Sequence, residues 1–85
     1  MGAPVTVLLF ATARRATGSA ELHLPVESGG VPVRSLLQAL GKRYPKLLPI
    51  LPTCRFALNG AYVASRATRV RPGDEFAIHP PYGGG

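Results

Sequence analysis

The sequence predicts one α+β domain in which a sheet of four to five strands carries one main helix on one face. Two observations indicate this class: apolar residues recur at helical spacing in only one segment, whereas several short segments have the composition of strands. With 85 residues, the chain has material for one compact domain and not for two. We assign residues 1–79 to this domain and residues 80–85, which are only Pro, Tyr and Gly, to a flexible C-terminal tail.

The N-terminal part predicts two strands. Residues 5–11 are apolar and partly β-branched, which is typical of a short buried strand. Residues 14–19 end in Thr-Gly-Ser and are predicted to form a turn. Residues 21–26 alternate between polar and apolar side chains, as a half-buried strand does. The pattern therefore predicts an N-terminal hairpin with a short loop.

The central part predicts the only helix. Its apolar stripe has spacings of three and four residues and consists of Val33, Leu36, Leu37, Leu40 and Tyr44. Pro32 suits the first helical turn, and Pro45 ends the helix. Residues 45–52 contain three prolines and are predicted to form a loop whose leucines pack inward.

The C-terminal part predicts three more strands. Residues 55–58 form the first, and the Asn59-Gly60 pair predicts a tight hairpin turn into residues 61–63. A second turn at residues 71–74 leads into the last strand, residues 75–79. Asp74 and Glu75 are interpreted as turn and strand-edge residues, not as a catalytic pair.

One helix can cover only one face of this sheet, so the other face stays open. Alternation places the covered-face residues at Val7, Leu9, Phe56, Leu58, Val63, Phe76 and Ile78. The opposite face then carries Leu8, Phe10, Ala57, Tyr62, Ala77 and His79. Since a contiguous exposed apolar patch on a small domain usually marks a partner surface, we predict docking there. Cover by a loop or by self-association is the alternative.

The tail predicts chemistry at its end. Pro80 and Pro81 favour a stiff, extended exit from the last strand, and Tyr82 and three glycines follow. Glycines have no Cβ atoms and can thread a narrow tunnel. The reactive group of such a tail is the α-carboxylate of Gly85, which becomes an acyl donor once it is adenylated. Sulfur can then displace the adenylate to give a terminal thiocarboxylate.

Composition argues against several other classes of protein. Cys54 is the single cysteine, which excludes an internal disulfide and a multi-cysteine zinc site, and we expect it in the core. We expect no metal and no permanently bound cofactor. The N-terminus lacks a basic signal-peptide region and no apolar run approaches roughly 20 residues, so we expect a cytoplasmic protein and no membrane partner. The net charge of +6 is spread along the chain without interleaved aromatics, which favours a solvated surface, or a field that steers an acidic partner, over nucleic-acid binding.

The order of elements and the terminal motif resemble the MoaD/ThiS family of ubiquitin-like sulfur carriers, nearest the molybdopterin branch. The similarity spans nearly the whole chain and depends on VLLFA at 7–11, VRSLL at 33–37, LNG at 58–60, PGDEFA at 72–77 and PP at 80–81. The resemblance implies a β-grasp fold with a mixed sheet.

The resemblance also implies a function. An E1-like adenylating enzyme would use ATP to activate Gly85, with Gly84 beside it, and a desulfurase or rhodanese-like donor would supply the sulfur. The tail would then enter the large subunit of molybdopterin synthase and donate sulfur to cyclic pyranopterin monophosphate, in a heterotetramer of two carriers and two large subunits. The chain would be the sulfur-donating small subunit of a sulfurtransferase, not a complete catalyst. Partner-binding residues would be Phe10, Tyr62, His79, Leu8, Pro80, Pro81, Tyr82 and Gly83.

Three features depart from the family pattern: His79 stands where an apolar residue is common, an extra glycine, Gly83, stands where a small or polar residue usually precedes the terminal pair, and the chain is basic. Other functions stay open. The carrier could serve thiamine thiazole or another sulfur product, or the activated glycine could be joined to a lysine amine as a protein modifier. A β-grasp RNA-binding or interaction module with an incidental tail is the alternative from a different class.

Overall fold

A computed structural model describes residues 3–81 and shows a mixed five-stranded sheet with helices packed on one face. The sheet order is β2-β1-β7-β4-β5, and β1 runs parallel to β7 while the other neighbours are antiparallel. Its strands are β1 (Val5–Leu9), β2 (Glu21–Leu24), β4 (Arg55–Leu58), β5 (Ala61–Tyr62) and β7 (Glu75–His79). A separate two-stranded ribbon consists of β3 (Val31–Pro32) and β6 (Arg69–Val70). The predicted α+β class and mixed sheet are confirmed.

The segment between β1 and β2 differs from the prediction. Strand β1 ends at Leu9, and helix α1 (Ala11–Thr17) replaces both the predicted end of the strand and the predicted turn. Ala and Arg are strong helix formers, and Gly18 closes the helix in a left-handed conformation with its N–H bonded to the Arg14 carbonyl. Sequence reasoning missed α1 because its buried side is made of alanines, such as Ala13, and gives no apolar stripe. β1 and β2 are antiparallel neighbours as predicted, but a helix joins them.

The main helix, α2 (Val33–Arg43), is the predicted one. Its buried positions include the four aliphatic residues of the predicted stripe, and Tyr44 caps it through an N–H bond of 2.8 Å to the Leu40 carbonyl. Pro32 belongs to β3 and precedes the helix instead of lying in its first turn.

The segment after α2 forms two 3-10 turns, Pro45–Leu47 and Leu51–Thr53. Leu47 and Leu51 are buried as predicted, but Leu48 is 55% exposed, so the expectation that all leucines here pack inward is wrong. Its side chain occupies the space beside Gly41 that a Cβ atom at that position would need. A glycine in α2 thus lets this segment lie directly on the helix.

The hydrophobic core lies between α2 and the covered face of the sheet. Val7, Leu9, Phe76 and Ile78 are nearly inaccessible, and the rings of Phe56 and Phe76 stack at 5.6 Å. Leu58 and Val63 are partly buried against this cluster, which agrees with their assignment to the covered face. Cys54, expected in the core, lies only at its margin.

Strand β7 is the centre of the sheet, between β1 and β4. The Asn59-Gly60 turn lies opposite Glu75, at the start of β7. Both of its φ angles are positive, 50° and 86°, as the predicted tight hairpin turn requires. The Asn59 side chain accepts a hydrogen bond from the Glu75 N–H at 2.9 Å. Strand β7 is therefore held by a strand on each side and by Asn59 at its start. The chain leaves the sheet from the other end of this strand.

Candidate functional site

The open face of the sheet carries a continuous apolar row. The strand register places Leu8 beside Ala77, Ala77 beside Ala57, and Ala57 beside Tyr62, across four strands. The two alanines are only 8% exposed because larger neighbours shade them, whereas Tyr62 is 70% exposed. The row is therefore a shallow apolar trough with an aromatic wall at one end. All these residues lie on the face that alternation predicts.

Three rings meet where β7 ends. The Phe10 ring stacks on the His79 ring at a centroid distance of 4.7 Å and an interplanar angle of 7°. The Tyr62 ring stands edge-on to His79 at 6.5 Å. Sequence reasoning placed these residues on one face, and the structure brings their side chains together. We call Phe10, Tyr62 and His79 the aromatic cluster.

The backbone holds Phe10 at a sharp corner. Phe10 itself is extended, with φ −121° and ψ 154°, so the alternation of β1 continues into it and its side chain reaches the open face. The next residue, Ala11, has a φ of 49°, a left-handed value that costs an alanine roughly 1–2 kcal/mol. The Phe10 carbonyl accepts hydrogen bonds from the N–H groups of Ala13 and Arg14 at 3.0 and 3.3 Å, which fixes the corner to α1. Strain of this kind persists where the surrounding structure determines a functional conformation.

Arg55 belongs to the same site and was not predicted there. It is the register partner of His79, and its guanidinium carbon lies 6.0 Å from the centroid of the Tyr62 ring. The signal was available: in a strand, residue 55 points to the same face as residue 57. Together with Thr53, Tyr62, His79, Pro80 and Pro81, it lines a groove of about 580 Å³.

The tail begins in this groove. Pro80 is half-buried and Pro81 is exposed, and neither has an N–H group to continue the sheet. The structure therefore places the two predicted exit residues beside the aromatic cluster. The remaining predicted residues, Tyr82, Gly83, Gly84 and Gly85, lie outside the described residues.

Asp74 and Cys54 are held by hydrogen bonds within the domain. The Asp74 carboxylate accepts hydrogen bonds from the Arg71 N–H at 2.8 Å and the Asn59 side chain at 3.1 Å, so it fixes turns, as predicted. Burial raises the pKa of the Cys54 thiol, which donates to the Ile50 carbonyl at 3.3 Å. A raised pKa lowers the thiolate fraction and makes this cysteine a poor nucleophile.

Two further findings concern residues 3–81. Nowhere in this range do three or more His, Cys, Asp or Glu side chains form a group suited to a metal ion. None of the helices described has the length and apolar character needed to cross a membrane.

Known proteins share this sequence pattern and this fold. A family model described as the ThiS family matches residues 7–85. The molybdopterin synthase sulfur carrier subunit of Arabidopsis thaliana is 38% identical over 81 residues, which covers 95% of this chain and 82% of the plant protein.

Solved structures agree. A putative molybdopterin converting factor subunit 1 from Pyrococcus furiosus superposes with a TM-score of 0.82 at 28% identity, covering 93% of this chain and 98% of that one. The small archaeal modifier protein 1 from Methanosarcina acetivorans gives a TM-score of 0.80, also at 28% identity, and covers 100% of this chain and 99% of its own.

Proposed function

The chain belongs to the ThiS family, and we propose that it is a sulfur carrier for molybdopterin biosynthesis. In this proposal the carboxylate of Gly85 is adenylated and thiocarboxylated, and the tail donates its sulfur to cyclic pyranopterin monophosphate. The observation that carries the proposal is the position of the tail exit, which leaves the central strand directly beside an exposed aromatic cluster. The sulfur carrier subunit from Arabidopsis, similar over nearly the whole chain, supports the choice of product.

The proposed chemistry has three stages. A carboxylate oxygen of Gly85 attacks the α-phosphorus of ATP, and pyrophosphate leaves. The terminal sulfur of a persulfide on a desulfurase or rhodanese-like donor then attacks the acyl carbon and AMP leaves, which gives an acyl disulfide between the tail and the donor. A thiol next attacks the donor cysteine's sulfur in this disulfide, so that a new disulfide forms on the donor and the thiocarboxylate leaves. Finally the thiocarboxylate sulfur attacks a carbon of the pterin precursor in the large subunit while a carbon–oxygen bond of the precursor breaks, which joins carrier and precursor through a thioester. Water hydrolyses this thioester, which returns the Gly85 carboxylate and leaves the sulfur on the product. ATP is consumed by the activating enzyme and is not held by this chain.

The structure supports a division of labour between domain and tail. The core lies on the helix side of the sheet, so docking on the open face does not require it to rearrange. Leu8, Tyr62 and His79 lie on the open face, and Pro80 and Pro81 line the adjacent groove. We propose that this face docks on each partner in turn and so positions the tail in that partner. With the large subunit, two carriers and two large subunits form a heterotetramer.

The decisive experiment measures the intact mass of the chain after incubation with an E1-like enzyme, ATP and a sulfur source. We expect a gain equal to the replacement of one oxygen by sulfur, and no gain for the variant lacking Gly85. Circular dichroism of both proteins serves as the control for folding. An unchanged mass of the full chain with activating enzymes of both the molybdopterin and the thiamine pathways would refute the proposal.

A second function uses the same activated glycine. The similarity to a small archaeal modifier protein favours transfer of Gly85 to a lysine amine of another protein. The two functions give different products, a free thiocarboxylate or an isopeptide bond. Mass spectrometry of tryptic peptides from a reconstituted reaction distinguishes them, because only the second leaves a branched lysine that carries the C-terminal tryptic peptide of this chain, residues 70–85.

A further inference from the structure

Three surface grooves join end to end around the β5 edge of the sheet. The tail groove shares Arg55 and Tyr62 with a second groove of about 420 Å³, which also contains Cys54, Val63 and Arg66. This second groove shares Arg66 with a third, of about 250 Å³, which reaches Arg34 on α2 and the exposed Leu48. A continuous track therefore leads from the tail exit to the helix side of the domain. We call Arg55, Arg66 and Arg34 the arginine belt.

Within residues 3–81, no acidic side chain lines the grooves of the arginine belt. All three residues are exposed, and the close contact between a basic and an acidic side chain found among residues 3–81 joins His23 to Glu21 instead. The four acidic residues of the chain, Glu21, Glu27, Asp74 and Glu75, line none of the three grooves. Their absence leaves a positive strip that is free to meet carboxylates of another molecule.

Contacts with aromatic rings restrain two of these arginines. The guanidinium carbon of Arg66 lies 5.4 Å from the Phe56 ring centroid, and that of Arg55 lies 6.0 Å from the Tyr62 ring centroid. A restrained guanidinium loses less conformational entropy when it binds, so such side chains are effective binding anchors.

Leu48 marks the far end of the track. Its side chain packs against Gly41 of α2, yet 55% of the residue is exposed. Lys42 lines a groove on one side of Leu48, and Arg34 lines a groove on the other side. A large apolar side chain that is held in this way between charges resembles an interface anchor in a charged rim.

We propose that the docking surface for the tail-accepting partner continues from the tail groove along the arginine belt to Leu48. The partner surface that fits it carries carboxylates opposite the belt and an apolar socket for Leu48. This inference rests on the proposed function and extends it to the helix side of the domain. A second copy of the chain does not fit, because it has the same belt and a net charge of +6, and the two copies repel each other.

The test measures the dissociation constant for the large subunit of molybdopterin synthase from the same organism at low and high salt. Arg34→Glu and Arg66→Glu each weaken binding about tenfold at about 50 mM salt, and about 500 mM salt reduces the loss to about threefold by screening. Leu48→Ser weakens binding about tenfold at both salt concentrations, because its contribution is apolar. The matched control is Arg71→Glu, an exposed arginine in the turn before β7, at the opposite end from the tail, and it leaves binding unchanged within about twofold.

Two additions keep the result interpretable. Arg66→Gln removes the charge but keeps much of the cover over Phe56, so it separates loss of charge from loss of folding. Tyr62→Ala tests the open face. If Tyr62→Ala abolishes binding while the belt variants behave like Arg71→Glu, the belt proposal is wrong and the proposed function stands. If the folded wild type does not bind the large subunit, both are wrong.

A further arm uses a fluorescent single-stranded RNA of about 20 nucleotides, because clustered cations also attract phosphates. If the Arg34 and Arg66 variants lose affinity for RNA and keep full affinity for the large subunit, the belt is a nucleic-acid surface and the proposal is overturned. We expect no RNA affinity that depends on Leu48.

Discussion

Replacing Tyr62 with alanine separates docking from folding better than any other change on the open face. Tyr62 is 70% exposed, and a large aromatic side chain has about 200 Å² to bury. About 140 Å² therefore remains free for a partner, which at about 25 cal/mol per Å² corresponds to about 3 kcal/mol after allowance for the polar hydroxyl. This energy equals about a hundredfold increase in the dissociation constant.

The effect of the same change on stability is smaller. About 60 Å² of Tyr62 packs on the domain, and alanine retains part of that contact, so we expect a loss of about 1 kcal/mol. For a domain of this size the melting temperature then falls by about 4–8 °C. Isothermal titration with the large subunit measures the first effect, and a thermal melt followed by circular dichroism measures the second.

The control is Phe76→Ala, which removes a fully buried ring of the core and costs about 3–5 kcal/mol of folding free energy. A Tyr62→Ala variant that binds as tightly as wild type would refute the assignment of the open face as the docking surface. A melting temperature as low as that of Phe76→Ala would show instead that Tyr62 supports the fold.

Three substitutions and one labelling experiment test the site and its supports. Phe10→Ala weakens both partner affinity and stability, because this ring is 42% exposed and also stacks on His79; titration and thermal melts should move together. Ala11→Gly keeps or raises the melting temperature because it relieves left-handed strain, whereas the control Ala13→Gly lowers the folding free energy by about 1 kcal/mol. Asn59→Ala lowers the free energy of unfolding, measured by chemical denaturation, by about 2 kcal/mol, because alanine adopts a positive φ less readily and the side-chain hydrogen bonds of Asn59 are lost. The Cys54 thiol reacts with iodoacetamide more slowly than an unfolded control at neutral pH, and its rate keeps rising with pH after that of the control has levelled off, because burial raises its pKa.

The sequence was most informative where one physical rule decided the structure. The stripe from Val33 to Leu40 defines α2 because the spacing of large aliphatic residues fixes which side is buried. The Asn59-Gly60 pair defines the β4–β5 turn because few other residues adopt its backbone angles. Alternation in β7 placed Ala77 and His79 on the open face for the same kind of reason.

It was least informative where structure depends on distant contacts. Helix α1 shows no apolar periodicity, and the two-residue strands β3 and β6 are too short to produce a pattern. The exposure of Leu48 follows from its position on Gly41, which only the fold reveals. Strand alternation could have predicted that Arg55 belongs to the site. A single charged residue on an apolar face is, however, easily interpreted as ordinary solvent-exposed surface.

The basic charge of the chain and its apolar open face belong to one physical problem. A carrier that visits several partners must keep a large apolar surface uncovered between visits, and such a surface favours self-association. A net charge of +6 opposes the approach of two copies at moderate salt, whereas it attracts a partner with an acidic rim. Because the belt residues Arg55 and Arg66 lie beside the aromatic cluster, the repulsion acts where two open faces would meet. In the docking arrangement proposed above, the same charges therefore oppose contact between two open faces and favour a partner with an acidic surface.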